Sequence, residues 1–341
     1  MKKIRVLVID DSALVRKMLT EILSASHDIE VVGTAEDPID ARGKIKQLAP
    51  DVLTLDIEMP KMSGLQFLKN LMRLRPMPVI MVSTLTARGA PETLEALEVG
   101  AVDYICKPKA NTEAKLKIFS NDLIKKVRMA STAHVQPYRQ NKASTLVVNT
   151  KSVYSKIIAI GSSTGGIEAI KELLTPVPMN CPPILISQHI PKVFSTSFAE
   201  RLDRFLAVSV FEAQEGMLIR PGCVYIAPGD FHLTVANSGS NKVCRIVQSD
   251  KVNRHRPSVD VMFDSVLKMY GSNVVAVMLT GMGNDGAHSM LKLKQAGAIT
   301  YAQDEATSVV WGMPQAAYKL GAVDEVLPLL KITEKMLKSA Q

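Results

Sequence analysis

The chain has 341 residues, more than one hydrophobic core usually supports, so its length predicts two domains of ordinary size. Hydrophobic residues make up 47% of the chain and charged residues 22%, proportions that are typical of a globular protein and exclude extensive disorder. The formal net charge of +8 is concentrated between the domains. Residues 1–122 contain 17 basic and 17 acidic residues, and residues 152–341 contain 18 basic and 16 acidic residues. Residues 123–151 contain six basic residues and no acidic residue, which predicts a basic linker over this segment.

The N-terminal sequence MKKIRVLVIDDS has two lysines before an apolar run, but acidic residues follow at once and no small-residue cleavage site comes after them. This argues against a signal peptide. The longest apolar runs, such as Val274 to Leu279, are too short to span a bilayer. The four cysteines show no CxxC pairing, which fits reduced thiols in a cytoplasmic protein. They are Cys106, Cys181, Cys223 and Cys244.

In the first predicted domain, short β-rich apolar runs alternate with helical patterns. The apolar runs predict five strands: IRVLVI, EVVGTA, VLTLD, VIMVS and VDYIC. The helices are predicted near 13–26, over 38–48, 64–75 and 91–99, and from about residue 112. This order predicts a doubly wound domain with a five-stranded parallel (βα)5 sheet.

Polar side chains follow several of these strands. In an open parallel sheet, ligands bind at the carboxyl ends of the strands, and these ends carry Asp10, Asp11, Asp56, Ser83 and Lys107. Clustered carboxylates suit Mg²⁺, and Asp56 could then act as a nucleophile and form an acyl phosphate held by the lysine and the serine. Any one of these residues alone is more typical of a surface turn, so the interpretation depends on their joint occurrence at strand ends.

The motifs DDS, LDIEMPKMSG and KP, at these spacings, make residues 3–122 resemble the receiver domain of bacterial response regulators. The resemblance implies Mg²⁺ bound by Asp11, Asp56 and the backbone carbonyl of Glu58, with Asp10 assisting. It also implies phosphorylation of Asp56 by a histidine kinase. The serine and lysine named above match the switch hydroxyl and lysine of the family, and its aromatic switch position corresponds to Tyr104.

The alternation resumes at residue 156 with the apolar runs KIIAIG, ILISQH, VYIAP, VVAVMLTG and AITYAQ. Helical stretches such as 167–174 and 289–295 separate them. The pattern predicts a second domain over 152–341, mainly parallel and α/β hydrolase-like. Residues 205–250 have little helical pattern and predict an antiparallel insertion or a sheet edge.

The sequence GSSTGG lies between the first strand and the first helix of this domain and has two interpretations. Glycines at a helix N-terminus can bind a phosphate, whereas G-x-S-x-G at a strand-to-helix turn presents a nucleophilic serine, here Ser163. The motif alone is weak, because ordinary turns of this composition are common. A serine nucleophile needs an imidazole and a carboxylate; His189 follows ILISQ, and Asp285 lies in a glycine-rich turn after VVAVMLTG.

Other side chains offer weaker alternatives. His288 could join His189 in a metal site, but two histidines and one acid without tight spacing are a poor zinc signal. Cys181 could pair with the same imidazole, but it precedes its strand. The remaining histidines, whose positions are more typical of structural or surface residues, are His27, His134, His232 and His255.

The motifs GSSTGG, SQHIP and LTGMGNDG make residues 152–341 resemble the catalytic domain of the chemotaxis protein-glutamate methylesterase family, and the receiver in front extends the resemblance to nearly the whole chain. The resemblance implies a triad of Ser163, His189 and Asp285, with the backbone N–H of Met282 stabilising the oxyanion. The family commonly has alanine where this chain has Ser162, which leaves Ser162 as an alternative nucleophile. APGDFHL and RPSVD also match family signatures, without an assigned chemistry.

The resemblance implies an enzyme of bacterial chemotaxis that is activated by phosphorylation. It would hydrolyse glutamate γ-methyl esters on chemoreceptors and deamidate specific glutamines, with a chemotaxis histidine kinase as phosphodonor. It would need Mg²⁺ in the receiver and no cofactor in the catalytic domain. It would act as a monomer without DNA binding or membrane insertion.

Two other classes of function make different predictions. A DNA-binding regulator would have a basic helix-turn-helix output domain, whereas the second domain here is α/β and carries a charge of only +2. A nucleotide-binding module would use the glycine-rich turn as a P-loop, but the lysine of that motif is missing.

Overall fold

The computed structural model describes residues 2–84, 90–108, 112–137 and 154–341. The chain forms two compact units, Met1–Gln140 and Asn141–Gln341. The last helix of the first unit continues to Ala130, within the segment predicted as a linker. Residues 138–151 of that segment lie outside the described residues, so the linker and the domain boundaries predicted from the sequence stay predictions.

The first unit is the predicted doubly wound sheet. Its elements, in chain order, are β1 (Ile4–Ile9), α1 (Ala13–Ser24), β2 (Ile29–Ala35), α2 (Pro38–Leu48), β3 (Val52–Asp56), α3 (Gly64–Leu74), β4 (Val79–Ser83), α4 (Ala90–Val99), β5 (Asp103–Cys106) and α5 (Glu113–Ala130). The strand order is β2-β1-β3-β4-β5, and all pairs are parallel. Because β1 and β3 are neighbours in the centre, the residues that follow them meet at one edge.

Local sequence signals set several helix starts. Ser12, Asp37 and Ser63 lie at the N-caps of α1, α2 and α3, and the side chain of each accepts a backbone hydrogen bond from the first turn. Pro38 follows as the first residue of α2, where its missing N–H costs nothing. Within the described residues, we find no helix with both the length and the hydropathy to cross a membrane.

The second unit is built on a larger parallel sheet. Its elements are β6 (Ile157–Ser162), α6 (Gly166–Leu174), β7 (Ile184–Gln188), α7 (Lys192–Phe205), β8 (Ser209–Glu212), β9 (Cys223–Ile226), β10 (His232–Ser238), β11 (Asn241–Val247), α8 (Val259–Tyr270), β12 (Val274–Met278), α9 (Ala287–Gln295), β13 (Ile299–Gln303), α10 (Met313–Lys319), β14 (Glu325–Leu327) and α11 (Leu329–Ser339). Seven strands lie in the order β14-β13-β12-β6-β7-β9-β8. All of their pairs are parallel, which confirms the predicted fold class.

The segment 205–250 contains both features that its pattern predicted. Strands β8 and β9 form one edge of the seven-stranded sheet, and β10 and β11 form a separate antiparallel hairpin. The hairpin packs on α8 and buries Leu233 and Cys244 against the core of the unit. The hairpin therefore supports α8.

The four cysteines are free, and Cys181 and Cys244 are fully buried. Burial raises the pKa of both thiols to about 12. At pH 8 only about one thiol in 10⁴ would be ionised, and the thiolate is the reactive form. We expect iodoacetamide to label neither cysteine until the protein is unfolded, as peptide mass mapping would show. Half-buried Cys223 is the internal control; equal labelling rates at Cys181 and Cys223 would contradict the expectation.

Candidate functional site

The residues predicted as a triad follow three neighbouring strands of the larger sheet. Strand β6 lies between β12 and β7. Ser163 follows β6 directly, His189 follows β7, and Asp285 lies in the turn between β12 and α9. The chain enters the sheet at β6, adds β7 on one side and returns with β12 on the other, so these carboxyl ends lie at a topological switch point, where α/β sheets bind ligands.

The three side chains form one hydrogen-bonded chain. The Nδ1 of His189 is 3.1 Å from the Oγ of Ser163, and its Nε2 is 2.8 Å from Oδ2 of Asp285. The imidazole is 7% exposed and the carboxylate 1% exposed. Because an ionised carboxylate only accepts hydrogen bonds, Asp285 holds the imidazole proton on Nε2. The lone pair of Nδ1 then faces the serine hydroxyl, as a general base requires.

The N-terminus of α8 holds the carboxylate of Asp285. Its Oδ2 also accepts from the backbone N–H of Val259 at 2.7 Å, while its Oδ1 accepts from the Ser258 hydroxyl and from Asn253 Nδ2, each at 2.8 Å. Burial by itself raises the pKa of this carboxyl, but the hydrogen bonds from His189 and Asn253 outweigh burial and hold the pKa well below its usual range. The carboxylate is thus ionised at neutral pH and fixed in orientation.

The loop after β12 positions the backbone of Ser163. The N–H of Ser163 donates to the carbonyl of Thr280 at 3.0 Å. A Cβ on the next residue, Gly281, would lie 2.7 Å from Ser163 Cβ, so only glycine allows this approach. Met282 comes next, is half-buried, and its N–H donates no hydrogen bond within the described part of the chain. The role of this N–H as an oxyanion donor stays a prediction, which its position beside Gly281 favours.

Ser162, the alternative nucleophile, has a different environment. It is fully buried, and its hydroxyl donates to Gln188 Oε1 at 2.6 Å. The amide nitrogen of Gln188 donates in turn to the carbonyls of Ser163 and His189, at 2.9 and 3.0 Å. Ser162 therefore acts on the site through Gln188, which joins the loops that carry the serine and the imidazole.

A turn that the sequence analysis did not assign to the site contacts two members of the triad. Val252 and His255 exchange backbone hydrogen bonds of 3.1 and 2.8 Å around Asn253 and Arg254. Asn253 bonds Asp285, and the His255 ring stacks on the His189 ring with centroids 3.7 Å apart and planes 5° apart. The sequence analysis expected a surface or structural residue at position 255 and did not predict its contact with the imidazole, which the turn creates.

The RPSVD motif, which had no assigned chemistry, provides the cap of α8. Ser258 is the N-cap residue, and both its hydroxyl and the following N–H bond Asp285. The motif was the one sequence signal that could have located this part of the site. Gln188 lies within the SQHIP motif, but neither that motif nor the sequence around His255 indicated these side-chain contacts, which depend on packing between distant parts of the chain.

The weaker alternatives find no support within the described residues. His288 is exposed on α9. Among the described residues, one cluster of three or more side chains could hold a metal ion, and it lies in the first unit. Cys181 is fully buried, and its carbonyl accepts from the N–H of Gly222 rather than facing an imidazole. Neither a zinc site nor a thiol–imidazole pair is formed in this part of the chain.

The acidic cluster of the first unit lies at the carboxyl ends of β1 and β3. Asp10, Asp11 and Asp56 each offer a carboxylate oxygen, and these atoms lie within 4.8 Å of one another. Lys107 Nζ contacts Asp10 Oδ2 at 2.8 Å and Asp56 Oδ2 at 2.9 Å. Three carboxylates and one ammonium leave an excess of negative charge, and such an oxygen donor set fits Mg²⁺.

Asp56 is 4% exposed and lies at the end of β3. Burial raises the pKa of its carboxyl to about 6, against the opposing effect of Lys107 and with a further rise from the charge of Asp10. The loop beyond it packs closely: a Cβ at Gly64 would lie 1.8 Å from the carbonyl oxygen of Asp56. Only glycine therefore fits at the start of α3.

The other predicted receiver residues lie in β4, in β5 and in the loop after β3. Ser83 ends β4 and is buried, and its hydroxyl donates to the Thr84 carbonyl at 3.3 Å. Tyr104 lies in β5, packs against the core of the unit, and has Lys126 Nζ 5.6 Å from its ring centroid. Glu58 is exposed in the loop after β3. The roles of these residues, including the Glu58 carbonyl as a metal ligand, stay predictions.

Comparison with known proteins extends over the whole chain. Residues 158–336 match the family model described as CheB methylesterase, and residues 6–118 match the response regulator receiver domain. A protein-glutamate methylesterase/protein-glutamine glutaminase of Saccharophagus degradans is 53% identical, over 100% of this chain and 99% of its own. One of Nitrosomonas europaea is also 53% identical, over 99% of this chain and 96% of its own.

A solved structure gives the same result for the second unit. The CheB methylesterase catalytic domain of Thermotoga maritima is 43% identical, covers 55% of this chain and 99% of its own, and superposes with a TM-score of 0.53. The order of receiver and esterase domains is that of the full-length relatives, and more than half of all positions are identical to theirs. The chain belongs to the CheB methylesterase family.

Proposed function

We propose that this protein hydrolyses glutamate γ-methyl esters on chemoreceptors, deamidates specific glutamines, and is activated by phosphorylation of its receiver. The observation that carries the proposal is the hydrogen-bonded chain from Ser163 through His189 to Asp285, at a switch point of a parallel sheet. The relatives' names, protein-glutamate methylesterase/protein-glutamine glutaminase, supply the substrate class.

In the proposed mechanism, Ser163 Oγ attacks the γ-carbonyl carbon of the ester while His189 Nδ1 accepts the hydroxyl proton. The imidazolium is stabilised by the Asp285 carboxylate, which stays ionised. Collapse of the tetrahedral intermediate breaks the bond to the methoxy oxygen, and the proton from Nδ1 leaves with it as methanol. Water, deprotonated by the same nitrogen, then hydrolyses the acyl-enzyme and yields glutamate.

The intermediate in both steps carries a negative oxygen that needs hydrogen-bond donors. The N–H of Met282 is our candidate, since it is unoccupied within the described residues and follows the glycine that contacts Ser163. A glutamine side chain presents the same carbonyl with ammonia as leaving group, so one arrangement serves both reactions. No cofactor is needed for either.

For the receiver, we propose Asp56 as the phosphorylated residue and a chemotaxis histidine kinase as phosphodonor. Asp10, Asp11 and Asp56, with the Glu58 carbonyl, would hold Mg²⁺, which neutralises phosphoryl charge when bound. Lys107 lies 2.9 Å from the acceptor carboxylate and would grip the product. Ser83 of β4 and Tyr104 of β5 would take the remaining switch roles. The proposed setting is a cytoplasmic monomer that meets the cytoplasmic part of the receptors.

The test is methanol release from receptor membranes that carry labelled methyl groups, with purified full-length protein. We expect acetyl phosphate with Mg²⁺ to stimulate release by the wild type, and removal of Mg²⁺ with a chelator to abolish the stimulation. In Asp56→Asn the ratio of stimulated to unstimulated rate should fall to about 1, because an amide cannot form the acyl phosphate.

Glu21→Gln is the matched control, because Glu21 is an exposed carboxylate on α1 of the same unit. It should keep the full stimulation. Stimulation that persists in Asp56→Asn would refute the assignment of the phosphorylated residue. No methanol from well-methylated receptors under any condition would refute the esterase itself.

A further inference from the structure

A cleft of about 550 Å³ opens beside His189 in the second unit. It is bounded by the chain that follows His189 and by the loop 251–257. Its charged lining residues are Lys192, Lys251, Arg254, Arg256 and Asp230. Four cations and one anion give the wall an excess of positive charge next to the imidazole, a pattern that concentrates anionic ligands.

The charges of the cleft are not equally available. Arg256 Nη2 contacts Asp230 Oδ1 at 2.7 Å, and its Nη1 donates to the Ser249 carbonyl, so its charge is compensated. The ammonium of Lys192 lies 5.6 Å from the centroid of the Phe231 ring. Lys251 and Arg254 are exposed and form no ion pair within the described residues.

The backbone at Arg254 is unfavourable for its residue type. Asn253 has φ 51° and Arg254 has φ 72°, the left-handed values of the two central positions of a tight turn between Val252 and His255. Asparagine tolerates this conformation, and here it also bonds Asp285. Arginine disfavours it, and glycine would adopt it freely. A strained arginine at the rim of a cleft, with no ion pair to any residue that the structure describes, points to a functional role for the side chain.

We propose that Arg254 and Lys251 form a subsite for a carboxylate of the substrate, close to the ester being hydrolysed. This inference rests on the proposed function. In a helical substrate, side chains four residues apart lie on one face, so an acidic residue one turn from the ester would reach the cleft while the ester faces Ser163. A planar guanidinium binds a carboxylate through two parallel hydrogen bonds, which suits Arg254 to this role.

With this subsite, hydrolysis of one ester would promote hydrolysis of the next ester one turn away. Hydrolysis of one ester produces a carboxylate, and that carboxylate is the ligand that the subsite takes. An ester one turn from an already hydrolysed glutamate should therefore bind better than an ester beside an uncharged residue. Specificity would depend on the charge state of the neighbouring position as well as on the ester.

The test uses two helical peptides that carry one glutamate γ-methyl ester and differ only four residues away, by glutamate or alanine. Full-length Ser163→Ala protein binds them without turnover, and fluorescence anisotropy gives both dissociation constants at low ionic strength. We expect up to about fivefold tighter binding of the glutamate peptide, the upper limit for an exposed ion pair. The preference should decrease as salt is added.

Adding Arg254→Gly should lower the preference and leave the melting temperature equal or higher, because glycine relieves the left-handed conformation. Combining it with Lys251→Met should reduce the preference to about 1. Arg254→Lys should retain part of the preference, and Lys331→Met, at an exposed lysine of α11, all of it. Equal binding of the two peptides, no binding of either, or a preference that survives the double substitution would each overturn the subsite.

The membrane assay described above separates this inference from the proposed function. Methanol release by the wild type without a peptide preference would refute the subsite and leave the esterase proposal intact. A peptide preference without methanol release would remove the esterase and leave a carboxylate-binding cleft.

Discussion

Replacing Ser163 by alanine is expected to lower the rate of ester hydrolysis by about 10⁵-fold or more, the scale found when a serine hydrolase loses its nucleophile. The hydroxyl that Ser163 presents to His189 Nδ1 at 3.1 Å is lost, and no other hydroxyl among the described residues bonds that nitrogen. The backbone hydrogen bond of residue 163 is unaffected. Methanol release from labelled receptors measures the rate, and thermal melting should show an unchanged fold.

Ser162→Ala is the matched control, since it removes the neighbouring hydroxyl and keeps Ser163. The buried Oε1 of Gln188 then loses its 2.6 Å donor, which should lower the free energy of unfolding by about 1–3 kcal/mol. We expect the rate to stay within about tenfold of the wild type, because the hydroxyl of Ser162 bonds Gln188 and the backbone contact of residue 162 with His189 is kept. The reverse result, an inactive Ser162→Ala and an active Ser163→Ala, would identify the other serine as nucleophile.

Asp285→Asn is expected to lower the rate by about 10⁴-fold, as loss of the orienting carboxylate does in serine proteases. An amide nitrogen placed against His189 Nε2 would donate to it and move the imidazole proton to Nδ1. That nitrogen faces Ser163 and could no longer accept the hydroxyl proton. The loss should appear in kcat, measured with receptor membranes at a fixed degree of methylation.

The same substitution should destabilise the second unit. Both carboxylate oxygens of Asp285 accept from donors, among them the N–H of Val259 and the hydroxyl of Ser258. Either orientation of an amide sets its NH₂ against a donor and costs about 1–3 kcal/mol for each lost bond. Asp264→Asn, on the exposed face of α8, is the control that should change neither property. A rate within tenfold of the wild type in Asp285→Asn would contradict the assigned role.

The sequence was sufficient to predict residues whose positions follow from a parallel sheet. Side chains that end neighbouring parallel strands must meet, so the apolar runs alone brought Asp10 near Asp56, and the same rule brought Ser163 near His189. The Ser, His, Asp order follows from the strand order, since β12 returns to the far side of β6. Strand ends were thus predictable without any knowledge of side-chain packing.

Residues that act from loops were not predictable in this way. His255 reaches the imidazole through a two-residue turn. Gln188 ends β7, so its position was predictable, but the bonds from its side chain to the carbonyls of Ser163 and His189 were not. Such contacts depend on turn geometry and rotamers, which have no period along the chain. The roles of backbone groups, such as the Met282 N–H and the Glu58 carbonyl, cannot be recognised from residue type either, because every residue except proline has both an N–H and a carbonyl.

The position of β12 in the sheet has a consequence for a protein made from its N-terminus onward. The serine and the imidazole belong to β6 and β7, which leave the ribosome early, whereas Asp285 comes almost 100 residues after His189. A nascent or truncated chain that stops short of residue 285 contains the proposed nucleophile and base but lacks the carboxylate that accepts from His189 Nε2. The order of synthesis makes this carboxylate the last of the three groups to arrive, so a chain that ends before it cannot form the proposed triad.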